Sequence, residues 1–266
     1  MASAGTPVVF IHGLWLHADS WGPWVDRFRQ EGYAPTAPGW PGDADTVEET
    51  RQHPERVADY GINDVVEHYA QIIGKLDAKP IVIGHSFGGL IVQRLLGEDH
   101  AAAGVAIDAA PIKGVVYLPP SSLRVASVAL KNPANRKRAV SLTRQQFRYG
   151  FGNALSEEES DDLYDRWAIA SPGRTLFEAA SANLVPHSPA KINTENAMRG
   201  PLLLIAGGKD HTVPAAITRS TLKQYRKSAA VTDYKEFHDR GHSLGIDSRW
   251  PEVADTVLSW LKRHSL

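Results

Sequence analysis

Gly84-His85-Ser86-Phe87-Gly88 constrains this chain more than any other stretch, because of what lies on each side of it. Before it comes an apolar, β-branched run, Pro80-Ile81-Val82-Ile83. After it comes a helix-forming run, Gly89-Leu90-Ile91-Val92-Gln93-Arg94-Leu95-Leu96. A Gly-x-Ser-x-Gly between strand and helix forms a tight, strained turn that lifts the serine hydroxyl above a sheet. The flanking glycines let strand and helix pass close together. The hydroxyl then sits at the positive end of the helix that follows.

The rest of the chain alternates strand-like and helix-like segments, which implies a mainly parallel sheet with helices on both faces, an α/β fold. Strands are expected at Val8–Ile11, Tyr33–Ala37, Ile81–Gly84, Pro201–Ala206 and Val231–Phe237. One more should come from Ala103–Ile107 or Gly114–Tyr117. Helices are expected from about Ser20 to Gln30, Pro214 to Tyr225 and Trp250 to Lys262. Apolar residues at helical spacing predict one long amphipathic helix over Pro54–Leu76.

From about Pro119 to Arg199 the alternation stops. Short helical patterns there are separated by Asn-Pro, Phe-Gly and Ser-Pro-Gly, with no convincing strand. This region reads as a helical lid, residues 119–199, inserted into a core of residues 1–118 and 200–266. Within it, Ser156-Glu157-Glu158-Glu159 has capping-box spacing and should start a helix holding Leu163, Tyr164 and Trp167.

At 266 residues, 42% hydrophobic and 22% charged, the chain suits one domain with an insertion. A net charge of −1 gives no electrostatic reason to bind nucleic acid. The basic cluster Arg136-Lys137-Arg138 with Arg144 and Arg148, and the acidic run Glu157–Asp162, read as solvated helix faces. With no cysteine, disulfides, thiol catalysis and thiolate metal sites are excluded. Met1–Pro7 lacks the pattern of a signal peptide, and no apolar run is long enough to span a bilayer. A cytoplasmic protein with no membrane partner is expected; a homo-oligomer is allowed.

A serine hydroxyl becomes a nucleophile at neutral pH when a base takes its proton, and a histidine held by a carboxylate suits that task. Asp210 lies in Gly207-Gly208-Lys209-Asp210-His211-Thr212-Val213-Pro214, directly after a buried strand. His242 lies in Arg240-Gly241-His242-Ser243, after the last strand. Ser86, Asp210 and His242 are thus the candidate triad. Asp108 is the rival acid, and His238 the rival base; Asp210 also suits a helix cap. His85 should point away from the serine hydroxyl. Two backbone N–H groups must also face the developing oxyanion. Phe87 can supply one and Leu14 the other, with Gly13 turning the chain and His12 bracing the loop. His12, His17 and Asp19 lack the spacing of a metal site, so no metal or other cofactor is expected.

Together these residues resemble the α/β-hydrolase superfamily. His12-Gly13-Leu14-Trp15-Leu16-His17-Ala18-Asp19-Ser20-Trp21 is similar to a loop of bacterial aryl esterases and cofactor-free perhydrolases. It is similar also to that of plant esterases and hydroxynitrile lyases. The resemblance implies the triad and oxyanion assignments above. Because the first motif begins at His12, it also implies about six strands without a leading hairpin. In Ala37-Pro38-Gly39-Trp40-Pro41-Gly42-Asp43 the acidic residue many relatives carry before Pro-Gly is missing, which leaves Trp40 to line the pocket. No pocket lysine can be assigned for lyase chemistry.

The function implied is a serine hydrolase of carboxylic esters with small-to-medium, apolar acyl or aryl groups. Trp15, Trp40, Phe147, Phe151 and Trp167 are the candidate pocket aromatics. The same triad could act on lactones, amides or C–C bonds, or pass an acyl group to peroxide. A ligand receptor with negligible turnover is the alternative of another class.

Overall fold

A computed structural model describes residues 5–117 and 119–266. Met1–Ala4 and the core boundary at Leu118 lie outside the described residues. The chain runs β1 (Pro7–Ile11), α1 (Gly22–Gln30), β2 (Ala34–Thr36), α2 (Val47–Gln52), α3 (Ile62–Ile73), β3 (Ile81–His85), α4 (Phe87–Gly97) and β4 (Ala103–Ile107). It continues through α5 (Pro120–Leu130), β5 (Ala139–Val140), α6 (Arg144–Gly150), α7 (Glu157–Trp167), β6 (Ser171–Pro172) and α8 (Gly173–Ala180). It ends with β7 (Leu202–Gly207), α9 (Ala215–Tyr225), β8 (Thr232–Phe237) and α10 (Trp250–Arg263).

Six strands form one parallel sheet in the order β2-β1-β3-β4-β7-β8. Strands covered by helices on both faces must be apolar throughout, and β3, β4 and β7 are buried at every position. Period-two alternation divides the core. Val8, Phe10, Ile81 and Ile83 face one side, against Trp24, Phe28, Val257 and Trp260 of α1 and α10. Val9, Ile11 and Val82 face the other, against α3 and α4. Ala103–Ile107 is the strand after α4; Gly114–Tyr117 is not one.

The Pro54–Leu76 helix is interrupted. A 3₁₀ turn covers Pro54–Val57, Asp59 takes a left-handed φ of 60°, and α3 starts only at Ile62. The Asp64 carboxylate accepts the Gly61 N–H at 2.7 Å, so a capping interaction inside the apolar pattern sets a new start. The short α2 carries no strong apolar period, and its signal was only the Thr46 cap on Glu49.

The described residues between β4 and β7 add no strand to the main sheet. They do form a small one, since β5 and β6 pair antiparallel, where only helices were expected. Two residues each give no alternation to read. The Ser156 hydroxyl caps Glu159 N–H as anticipated. Glu159 does not return the bond, because its carboxylate accepts the backbone N–H of Ser248. Arg144 and Arg148 pair with Asp161, Asp165 and Glu157, so part of the basic cluster meets the acidic run across α6 and α7.

The sheet's order reverses between β1 and β3: the chain leaves β1 outward to β2 and returns on the other side. In open parallel sheets ligand sites form beyond the strand ends at such a reversal. Close packing permits it here. A Cβ on Gly88 would lie 2.1 Å from the Ile11 carbonyl oxygen. Gly88→Ala is expected to force α4 off β1, costing about 1–3 kcal/mol of stability in urea unfolding.

Candidate active site

The β3–α4 turn holds Ser86 at φ 56° and ψ −120°, outside the comfortable region for an L-residue and of order 1–3 kcal/mol in cost. Neighbouring bonds impose it. Ser86 N–H donates to Ile107 O at 2.9 Å, and Ser86 O accepts from the N–H groups of Gly89, Leu90 and Ala110. Phe87 is the first residue of α4, so its N–H has no carbonyl within the helix to bond. The turn after β1 lies against this elbow. A Cβ on Gly13 would stand 2.7 Å from Ser86 Cβ and 3.4 Å from its Oγ. Next to it, Trp15 takes a φ of 65° and its N–H donates to Ser171 Oγ at 2.6 Å. With that donor engaged, Leu14 offers the remaining candidate N–H.

His242 is fully buried, and its Nδ1 donates to Asp210 Oδ2 at 2.6 Å. Asp210 Oδ1 accepts the N–H groups of Thr212 at 2.6 Å and Val213 at 2.9 Å. Capping and holding the imidazole are therefore one arrangement rather than alternatives. With Nδ1 as the donor, His242 Nε2 carries the lone pair, and it is buried without a hydrogen-bond partner. The rival His238 is largely exposed and pairs with Glu236. The rival acid Asp108 lies 4.0 Å from His242 Nδ1, so it belongs to the site without holding the ring directly.

His85 ties the elbow to the His242 loop. Its Nε2 donates to His242 O at 2.8 Å, and the two ring centroids are 4.5 Å apart. Burial, with His242 beside it, holds the His85 imidazole well below its usual range, so it is neutral. The His242 loop has its own buried brace: Arg240 pairs with Asp247 and donates to Leu244 O.

His12 braces the first turn as expected, through an acid that sequence reading passed over. Its Nε2 lies 2.9 Å from Asp43 Oδ2, and Asp43 also accepts the Trp40 N–H at 2.9 Å. The missing acid before Pro-Gly is thus replaced three residues after Trp40. Trp40 itself lies under the loop, its Nε1 donating to His12 O, and is absent from the cavity wall.

A cavity of about 100 Å³ opens at Ser86. Trp15 and Phe87 flank the serine, and Leu123, Val125, Leu176, Ala179 and Ile217 supply apolar walls. Trp15 alone of the five candidate aromatics lines it. Phe151 instead packs edge-on against the His242 ring at 4.8 Å, and Phe147 stacks behind it at 4.7 Å. Trp167 borders a separate surface depression, under Arg166. Large rings filled the core around the machinery, while smaller aliphatic residues of α5 and α8 shaped the space.

His17 bonds Ala44 O and Asp19 N–H, so it does not join His12 in a ligand set. Among the described residues, His85, Asp108 and His242 are the group whose ligand atoms converge within 4.8 Å. They are the hydrogen-bonded centre just described. No helix among the described residues is long and apolar enough to cross a membrane.

The sequence model of the Alpha/beta hydrolase family matches residues 8–256. No curated protein sequence matches the chain. A methylesterase from Arabidopsis is 15% identical, with a TM-score of 0.67 over 97% of this chain and 99% of its own. A monoacylglycerol lipase from Paleococcus ferrophilus is 22% identical, with a TM-score of 0.65 over 98% and 97%. An extracellular α/β-hydrolase from a Paenibacillus species is 17% identical, with a TM-score of 0.68 over 96% and 98%.

Two outcomes follow from the braces. Arg240→Ala strands the Asp247 carboxylate and is expected to cost about 3–5 kcal/mol in denaturant unfolding. Between about pH 6.5 and 5 the unfolded chain takes a proton that native His85 refuses, so stability falls as the pH drops. His85→Gln should flatten that part of a Tm-against-pH curve.

Proposed function

The chain belongs to the alpha/beta hydrolase family, and from that premise we propose that it is a serine hydrolase cleaving carboxylic esters with small, apolar acyl groups. The observation that carries this reading is His242: one ring nitrogen is committed to Asp210, and the other is buried and free beside the elbow that bears Ser86. A base in this state takes the serine's proton as the hydroxyl attacks the ester carbonyl. Asp210 stabilises the imidazolium without itself taking the proton. The N–H groups of Phe87 and Leu14 receive the oxyanion. Imidazolium then protonates the leaving alcohol, and water activated by the same imidazole releases the acid from Ser86.

The cavity supports the substrate class. A space of about 100 Å³ walled by Leu123, Val125, Leu176 and Ala179 takes a short aliphatic acyl chain and offers a carboxylate or ammonium no charged partner. Residues 119–199 serve as its lid, with α5 and α8 forming the roof. The lid is fastened by backbone bonds from His17 to Trp167 and from Ile169 to Trp15. Arg51 adds bonds to the carbonyls of Tyr164, Asp165 and Ala168. The Arabidopsis methylesterase and the Paleococcus monoacylglycerol lipase are, by their names, ester-cleaving proteins of this fold.

The test uses p-nitrophenyl acetate, butyrate and octanoate, with a fluorophosphonate to label the nucleophile. The acetate and butyrate should turn over faster than the octanoate. Ser86→Ala should lower kcat by at least about 10³-fold and abolish the label. Turnover surviving in that variant would overturn the assignment. Ala179→Trp should cut butyrate turnover about tenfold or more while Ser86 still takes the label.

A further inference from the structure

Asp108 is an ionisable group at the heart of the site that the proposed chemistry leaves idle. It follows β4 with a φ of 44°, and two bonds to β7 fix it: its N–H donates to Ile205 O at 2.9 Å, and its Oδ1 accepts Gly207 N–H at 2.7 Å. Its Oδ2 is buried and receives no donor. That oxygen is 4.0 Å from His242 Nδ1, the same ring nitrogen that Asp210 Oδ2 holds at 2.6 Å, so both carboxyl groups face one buried atom. Two acceptor-only groups do not sit together in a desolvated place unless one holds a proton. Asp210 accepts three N–H donors and Asp108 one, so the charge belongs on Asp210. Burial, reinforced by Asp210, pushes the Asp108 carboxyl well up; the Gly207 N–H and Arg240 oppose it. His85, the other titratable group packed on His242, is neutral and adds no charge.

We propose that Asp108 is a second acid of this site, a positioning residue that bridges to Asp210 through a shared proton and takes over the His242 Nδ1–H when Asp210 is lost. In the intact site the Asp108 O–H donates to Asp210 and restrains the carboxylate that orients the ring. When position 210 is neutral, Asp108 gives its proton to solvent, and its Oδ2 closes the 4.0 Å gap to Nδ1. The role rests on the triad reading above, and one arm of the test does not depend on turnover.

Fluorophosphonate labelling of Ser86 and ester turnover are followed against pH in the wild type, D210N and D108N/D210N. Loss of the acid in a one-acid triad costs about 10⁴-fold. D210N should lose only about 10–100-fold, and the double variant should fall at least about tenfold further. D210N no faster than the double variant overturns the proposal. If the double variant does not fold, the pH profile of D210N decides. A labelling rate that climbs with pH as Asp108 ionises supports the takeover, and a flat residual rate overturns it. The second arm is thermal unfolding of D108N. The unfolded chain releases the Asp108 proton above about pH 3.9, whereas the native protein keeps it, so wild-type stability is lost as the pH rises through that window. D108N should therefore gain Tm relative to wild type from pH 4 towards pH 7. A Tm difference that does not change with pH overturns the shared proton, even if no ester is ever turned over.

Discussion

A hydrogen bond of 2.6 Å between Asp210 and His242, closed off from water, is the interaction on which the site depends. A charge-assisted bond is strong in such surroundings, and its loss leaves a buried carboxylate with one donor fewer. Other features hold its two ends. The β7 end is fixed by the N–H groups of Thr212 and Val213, ahead of α9. The His242 end is fixed by the Arg240–Asp247 pair below and by His85 reaching its carbonyl from the elbow strand. Three strand ends of one parallel sheet thus converge through bonds that each satisfy a buried polar group.

The elbow was the most legible part of the sequence because its geometry is local. Ser86 must bear a positive φ, and the residues at 84 and 88 must be small, so the pattern shows in five consecutive letters. β3, β4 and β7 were legible for a related reason: strands buried on both faces are apolar at every position. Asp210 and His242 could be anticipated from their places after strands, and the structure brings them into contact.

What sequence reading missed depends on contacts between distant segments. Asp43 replaces an acid expected before Pro-Gly, a substitution visible only once the loop is seen to turn back on His12. Ser171, which engages the Trp15 N–H, is separated from it by 156 positions. Four of the five pocket aromatics were misplaced, because size says where a ring is buried, not which void it borders. Phe151 and Trp40 support the machinery, and the cavity itself was left to Leu123, Leu176 and Ala179.

The meeting of opposite charges on α6 and α7 reaches further than the surface. Arg144 and Arg148 hold α6 to Asp161, Asp165 and Glu157, while the same helix carries Phe147, stacked on the Phe151 that backs the His242 ring. Those pairs are open to water, where each is worth up to about 1 kcal/mol. The wall behind the imidazole is thus joined through one short helix to charges on the outside of the molecule, so a surface substitution there can reach a ring it does not touch.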